Sequence, residues 1–317
     1  MNSLAAVFLF MALVPVARAE FALDRSAMSD RESGPTVRAP DDGITRVLII
    51  GNSFSACVMD HLPPVAADRG VKLDVCSLFI GGCSLARHWK NACLDGTPDE
   101  PQPYLLTRDT CGKGETNHIN VCTALRMEDW DIVTVQQASG DSWRAETYGP
   151  EGDRLVAKIR ELAPHAKVYV QETWSYTPWD KRLKKWGITP DEMYAKLHAA
   201  YAAFARRNGL DVIPFGAAVQ EWRRRLPVRY TANSFGGDVI GEDVLPADTL
   251  FKRNAKGEWV INCDAFHTGQ RGNYFQGLVW AATLLGIDPE AVGYRPDFVT
   301  ESDGRLMKRI AKELAKE

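Results

Sequence analysis

The chain is poor in cysteine: seven residues among 317, an odd number and too few for a disulfide scaffold. No two cysteines stand in a Cys-x-x-Cys pair, which argues against a structural zinc site. An excess of either charge is also missing. With 38 Lys and Arg against 41 Asp and Glu, the net charge is −3, and nothing points to nucleic acid or another polyanion as a partner. Apolar runs long enough to cross a bilayer are absent, since the run at Leu4 to Ala17 is short and broken by Pro15. There is no internal repeat and no low-complexity tract. What remains, 45% apolar and 25% charged residues, describes a globular chain with a sizeable core.

The amino terminus carries its own signal. The apolar run is followed by Ala17-Arg18-Ala19, which fits the small-x-small cleavage rule. This predicts a signal peptide over 1–19, cleaved after Ala19, and a secreted or periplasmic protein with no membrane anchor left. The stretch before the run lacks Lys and Arg, unlike most such leaders, and no Cys follows the cleavage point to take a lipid. Export permits disulfides. Cys83, Cys93, Cys111 and Cys122 lie close in sequence and allow up to two bridges, Cys263 has no readable partner, and Cys57 and Cys76 sit in apolar segments as expected buried thiols.

Residues 20–43 are polar and turn-rich, and read as a linker into a single domain over 44–317. There the pattern changes to short continuous apolar runs, the mark of strands buried on both faces, at Arg46–Ile50, Val71–Ile80, Asp131–Val135, Lys167–Val170 and Asp211–Phe215. Helix-length stretches alternate with them: Ser55–Arg69, Glu151–Leu162, Pro190–Asn208 and Gly269–Leu285. Pro190 is a start signal and Asn208-Gly209 a stop. The tail from Ser302 onward repeats Leu306, Ile310 and Leu314 at helical spacing. Alternating buried strands and helices predict an α/β fold, a parallel sheet with helices on both faces. Two segments break the rhythm, near 83–125 and 227–262, and read as insertions.

Candidate chemistry collects where strands end. The first strand runs into Gly51-Asn52-Ser53-Phe54-Ser55 and then a helix, a tight turn that exposes a serine near a helix amino terminus. Ser55 occupies the place of the second glycine of a Gly-x-Ser-x-Gly elbow. Near the other end, Asp264 and His267 stand three residues apart, so a carboxylate can orient an imidazole whose far nitrogen faces a hydroxyl. Gly81-Gly82 follows the second strand and Gln136-Gln137-Ala138-Ser139 ends the third, which offers a backbone N–H and a side-chain amide to a developing oxyanion. Each signal alone is common: Gly-Asn-Ser and Gly-Gly are ordinary turns, and an Asp before a His is often a helix cap. His61, His88, His118, His165 and His198 lack such support and read as structural or surface residues.

Taken in this order over about residues 44–290, the four blocks resemble the SGNH (GDSL-type) hydrolase family. The resemblance implies a flavodoxin-like three-layer α/β/α sandwich with a central parallel sheet. It implies Ser53 as nucleophile, His267 as general base and Asp264 as its orienter. The backbone N–H groups of Ser53 and Gly82 would be oxyanion donors, and no cofactor or metal is needed. Two departures stand out: Asn52 replaces the usual Asp before the serine, and Ala138 holds the place of the third-block Asn. Gln136 shares a strand face with position 138 and becomes the expected side-chain donor, ahead of Gln137. That pattern is similar to the Gln-bearing branch of carbohydrate O-acetylesterases.

The expected reaction is therefore hydrolysis of O-acyl esters, O-acetyl esters on carbohydrate first. Partners would be an acylated glycan or another small ester. Trp143, Tyr148, Trp174, Tyr176 and Trp179 offer aromatic faces, and Asn52, Trp174 and Tyr176 are the candidate substrate contacts. A general carboxylesterase or thioesterase is the alternative enzyme. A non-catalytic carbohydrate-binding protein on the same fold is the alternative of another class, but a binder needs none of Ser53, Asp264 and His267.

Overall fold

The computed structural model describes residues 41–110, 113–178, 180–225 and 266–315, with 251–253, 255–257 and 259–261 between them. The expected signal peptide, nearly all of the linker, Cys111, Trp179, Cys263, Asp264 and most of 227–262 lie outside the described residues.

A seven-stranded sheet forms the centre. Strand β1 (Ile44–Gly51) carries Val47 to Ile50 wholly buried, because helices cover both of its faces. It pairs in parallel with β2 (Lys72–Phe79) on one side and β5 (Ile132–Val135) on the other. Parallel pairing continues through β6 (Lys167–Gln171) to β7 (Asp211–Ile213). Taken alone, the five parallel strands run in the flavodoxin order, second-first-third-fourth-fifth. Their carboxyl ends therefore share one edge, where Asn52, Gln136 and Glu172 emerge.

The segment near 83–125 does more than insert. It forms helix α3 (Leu85–Ala92) and then a hairpin, β3 (Tyr104–Thr110) and β4 (Lys113–Ile119), that joins β2 antiparallel and makes the sheet mixed. Arg108 on β3 crosses to Asp74 on β2, with Nε 3.0 Å from Oδ1, and reaches Glu128 at 3.0 Å. Such a charge pair across neighbouring strands favours this register.

Helices cover both faces. On one side α2 (Leu62–Asp68), α8 (Phe215–Arg225), α9 (Gln270–Leu285) and α10 (Glu301–Leu314) pack together. On the other lie α3, α4 (Val121–Met127), α5 (Glu151–Leu162) and α7 (Pro190–Asn208). The signals at α7 act as read: Thr189 and Glu192 form a capping box, and Gly209 ends the helix at φ +59°. Gly277 lets α9 approach α2, since a Cβ there would meet the His61 backbone at 3.1 Å. Residues 251–253 and 259–261 form a separate two-stranded ribbon. Among the described residues no helix is long and apolar enough to cross a membrane.

The bridges that the spacing allows are not made among Cys83, Cys93 and Cys122, which are free. Cys83 and Cys122 are buried, and burial pushes both thiols up to about 12, so they pack as small apolar groups.

Candidate active site

The turn after β1 leaves Ser53 half-buried between buried neighbours. Asn52 leaves the strand in extended conformation and caps α1 (Ser53–Ala56), its Oδ1 accepting the Phe54 N–H at 3.0 Å. Its Nδ2 donates to the Cys83 carbonyl at 3.0 Å, which ties this turn to the loop after β2. One helical turn cannot satisfy its own carbonyls. Two buried glutamines supply the missing donors: Gln171 and Gln276 each donate to the Phe54 carbonyl at 2.8 Å. Gly51 is required by close approach, since a Cβ there would stand 2.1 Å from Ser55 Oγ. Ser55, in the place of the second elbow glycine, is buried and donates to the Asn52 carbonyl at 3.2 Å.

Ser53 faces His267. The Oγ to Nε2 distance is 2.7 Å, between residues 214 apart in sequence. His267 lies just before α9, beside the rings of Phe266 at 4.2 Å and Phe54 at 5.2 Å. Beyond the pair opens a cavity of about 420 Å³. Its wall comprises Asn52, Ser53, Phe54, Gly82, Ala138, Ser139, Gly140, Asp141, Tyr176, Arg182, Phe266 and His267. Gly82 sits at φ +60° in a turn closed by Cys83 N–H to the Ile80 carbonyl at 3.1 Å, a conformation that favours glycine.

The wall opposite is polar. Ser139 Oγ and Tyr176 Oη lie 2.8 Å apart, and burial raises the Tyr176 phenol above its usual 10.0, so it stays protonated. The Arg182 guanidinium, on α6 (Lys181–Trp186), stacks 4.1 Å over both the Tyr176 and Phe266 rings. It also forks onto Asp180 at 2.9 and 2.6 Å. Among the described residues no group of three His, Cys, Asp or Glu converges as a metal site requires.

The structure thus brings Ser53, Gly82 and His267 to one cavity, with Asn52 and Tyr176 on its wall. Asp264 lies outside the described residues. Gln136 is not on the wall: its Nε2 points at Asn52 Oδ1, 2.5 Å away, so its amide orients Asn52 from behind. Nor is Gln137, whose Nε2 donates to the Thr147 carbonyl and hydroxyl while its Oε1 accepts the Leu85 and Ala138 N–H groups. Ala138 presents a methyl where a third-block amide was sought. Trp174, read as a substrate contact, is 1% exposed and absent from the wall. Tyr148 is buried too, and Trp143 packs on Trp186. Gln171 and Gln276 escaped the sequence reading, although a glutamine inside an apolar helix such as α9 is a usable sign of a buried polar contact.

A family model described as a domain of unknown function, DUF4886, matches residues 46–233, a span that holds Ser53, Gly82 and Gln136 and stops short of His267. Among solved structures, a DUF4886 family protein from Bacteroides uniformis superposes with a TM-score of 0.69 at 24% identity, covering 85% of this chain and 94% of that one. A candidate SGNH hydrolase from Slackia heliotrinireducens gives 0.45 at 22% identity, over 76% of this chain and 99% of its own. A lipase/acylhydrolase from Enterococcus faecalis gives 0.42 at 13% identity, over 74% and 91%. Comparison with curated proteins gave no match. With the Bacteroides structure sharing its fold and the family model spanning more than half its length, the chain belongs to the DUF4886 family.

Proposed function

We propose that the protein is a serine ester hydrolase that removes small acyl groups, acetyl first, from carbohydrate. The observation that carries this reading is the 2.7 Å contact between Ser53 Oγ and His267 Nε2 at the mouth of a cavity. In the reaction Ser53 Oγ attacks the ester carbonyl carbon as its proton passes to His267 Nε2. The carbonyl oxygen gains the negative charge, and the backbone N–H groups of Ser53 and Gly82 receive it. Collapse of the tetrahedral species breaks the ester C–O bond, and His267 returns the proton to the departing sugar oxygen. Water, deprotonated by His267, then releases the acid from Ser53. Asp264 is assigned as the carboxylate on the Nδ1 side of His267, from its place in the sequence.

Substrate class rests on the wall. Ser139, Tyr176, Asp141 and Arg182 supply hydrogen-bonding groups where a long acyl chain would need apolar ones. Phe266, only half-buried on the same wall, adds an aromatic face suited to a sugar ring. The amino-terminal apolar run supports export, where acetylated polysaccharides are met.

Acetate release from acetylated glycans and from an activated acetyl ester tests the reading, with residues 20–317 as wild type, Ser53→Ala and His267→Ala. Loss of most turnover in both folded variants is expected. Turnover that survives Ser53→Ala would sink the assignment, and a preference for long acyl chains or thioesters would move the substrate class.

A further inference from the structure

Serine and histidine reach 2.7 Å from elements far apart in the chain, and something must hold that distance. The groups adjoining them converge on one side chain. Phe54 directly follows Ser53, and Phe266 directly precedes His267. Between them stands Trp174, in the segment that leaves β6. Its indole stacks on the Phe54 ring with centroids 4.2 Å apart and planes at 21°. Its Nε1 donates to the Phe266 carbonyl at 2.7 Å. Edge-on against Phe215 at 5.2 Å, the indole has no room to swing.

The residues around Trp174 are themselves bolted to α8. Glu172 Oε2 accepts the Ala217 N–H at 2.9 Å. Arg223 donates to the Ser175 hydroxyl at 2.5 Å and to its carbonyl at 2.7 Å. Gly216 has no side chain because a Cβ would meet the Thr173 carbonyl at 2.2 Å. A rigid mount, a ring against the nucleophile's neighbour and a hydrogen bond to the base's neighbour amount to a caliper.

We propose that Trp174 is a positioning residue that sets the Ser53–His267 distance, acting through the Phe266 carbonyl on His267 and through the Phe54 ring on Ser53. The inference rests on the serine hydrolase reading above. It assigns Trp174 no contact with substrate, so its loss should act on kcat and leave KM nearly unchanged. A misplacement of about 1 Å at a reacting pair costs roughly 100-fold in rate, and a partial loosening correspondingly less.

The test uses Trp174→Phe, which keeps a ring on Phe54 and deletes the N–H donor. A second variant replaces Trp174 with benzothienylalanine, an isostere that keeps the bicyclic shape without the N–H. Two rates are read: kcat on an activated acetyl ester, and labelling of Ser53 by a fluorophosphonate followed by intact mass. Both should fall about 10-fold or more in either variant, with KM within about twofold. Added to His267→Ala, the same substitutions should cause no further loss, because a group that acts through His267 has nothing left to position. A core residue that merely loosened the fold would lower the residual rate of His267→Ala as well. Rates within twofold of wild type in the isostere, or a full additional loss in the His267→Ala background, would overturn the proposal while the hydrolase reading stands. Wild-type Ser53 that resists the fluorophosphonate would bring down both.

Discussion

Replacing Gly51 with alanine tests how tightly the serine turn is packed. The new Cβ would stand 2.1 Å from Ser55 Oγ, 3.2 Å from Ser55 Cβ and 3.4 Å from Gln136 Cδ. Carbon and oxygen do not share 2.1 Å, so Ser55 must rotate away from a site where it is 2% exposed. Overpacking of this kind costs about 1–3 kcal/mol. Rotation also breaks the Ser55 hydroxyl bond to the Asn52 carbonyl, at about 1 kcal/mol. Against this, alanine restricts the unfolded chain and returns about 0.4–1 kcal/mol. The net expectation is a loss of about 2 kcal/mol, read by urea denaturation, and a fall in Tm of about 4–8 °C. Turnover should fall with it, because the turn carries Ser53. The sharper reading comes from the Ser55→Gly background, which restores the Gly-x-Ser-x-Gly spacing and removes the obstructing hydroxyl. There Gly51→Ala should be nearly neutral, giving a coupling of about 2 kcal/mol. Equal losses in both backgrounds would refute the packing argument.

Other perturbations separate roles within the site. Gly82→Ala meets no steric obstacle but must hold φ +60°, so it should cost about 1–2 kcal/mol of stability in a melting experiment and, on the proposed function, lower kcat by shifting the N–H assigned to the oxyanion. Gln136→Leu deletes the donor to Asn52; if Gln136 only orients Asn52, kcat should drop by about 10-fold, whereas a direct oxyanion donor would cost about 10²–10³. His198 bonds the buried Glu172 at 2.6 Å, and that hydrogen bond raises its pKa above 6.5. The native state therefore holds the proton more tightly. The stability this supplies is full below about pH 6.5 and lost as pH rises through the raised value. His198→Gln should accordingly lower Tm at pH 5.5 and much less at pH 9, and a pH-independent difference would refute the linkage.

Much of the sheet was legible because continuous apolar runs such as Arg46–Ile50 belong to strands covered on both faces. Helix α7 was legible from its cap, its first-turn proline and its terminal glycine. The hairpin of β3 and β4 escaped, since a strand at the rim of a sheet needs no apolar run, and residues 107–118 are mostly polar. Ser53 and His267 could be paired because each stands in a turn of limited chemistry next to an element boundary. Trp174 reads from sequence as a substrate contact but is buried: an aromatic residue in a loop reads alike whether it faces a ligand or the core, and only burial decides. Gln136 was misplaced for a related reason. Strand alternation gives the face on which a side chain leaves, but not that Asn52 stands in its way. The His198–Glu172 pair joins a helix to a strand exit across 26 positions, and nothing local announces it.

The 214-position separation of Ser53 and His267 bears on how the protein is made. Chains grow from the amino terminus at about 5–20 residues per second, so Ser53 precedes His267 by roughly 10–40 s during synthesis. During that interval Ser53 is without His267 while β7 and α8 are made, and α9 follows only afterwards. On the proposed function, hydrolysis can begin only after the carboxyl-terminal third has docked. Esterase turnover would therefore report the completed tertiary structure rather than the presence of the serine, and a nascent or carboxyl-truncated chain would stay silent toward esters in the compartment where it is synthesised.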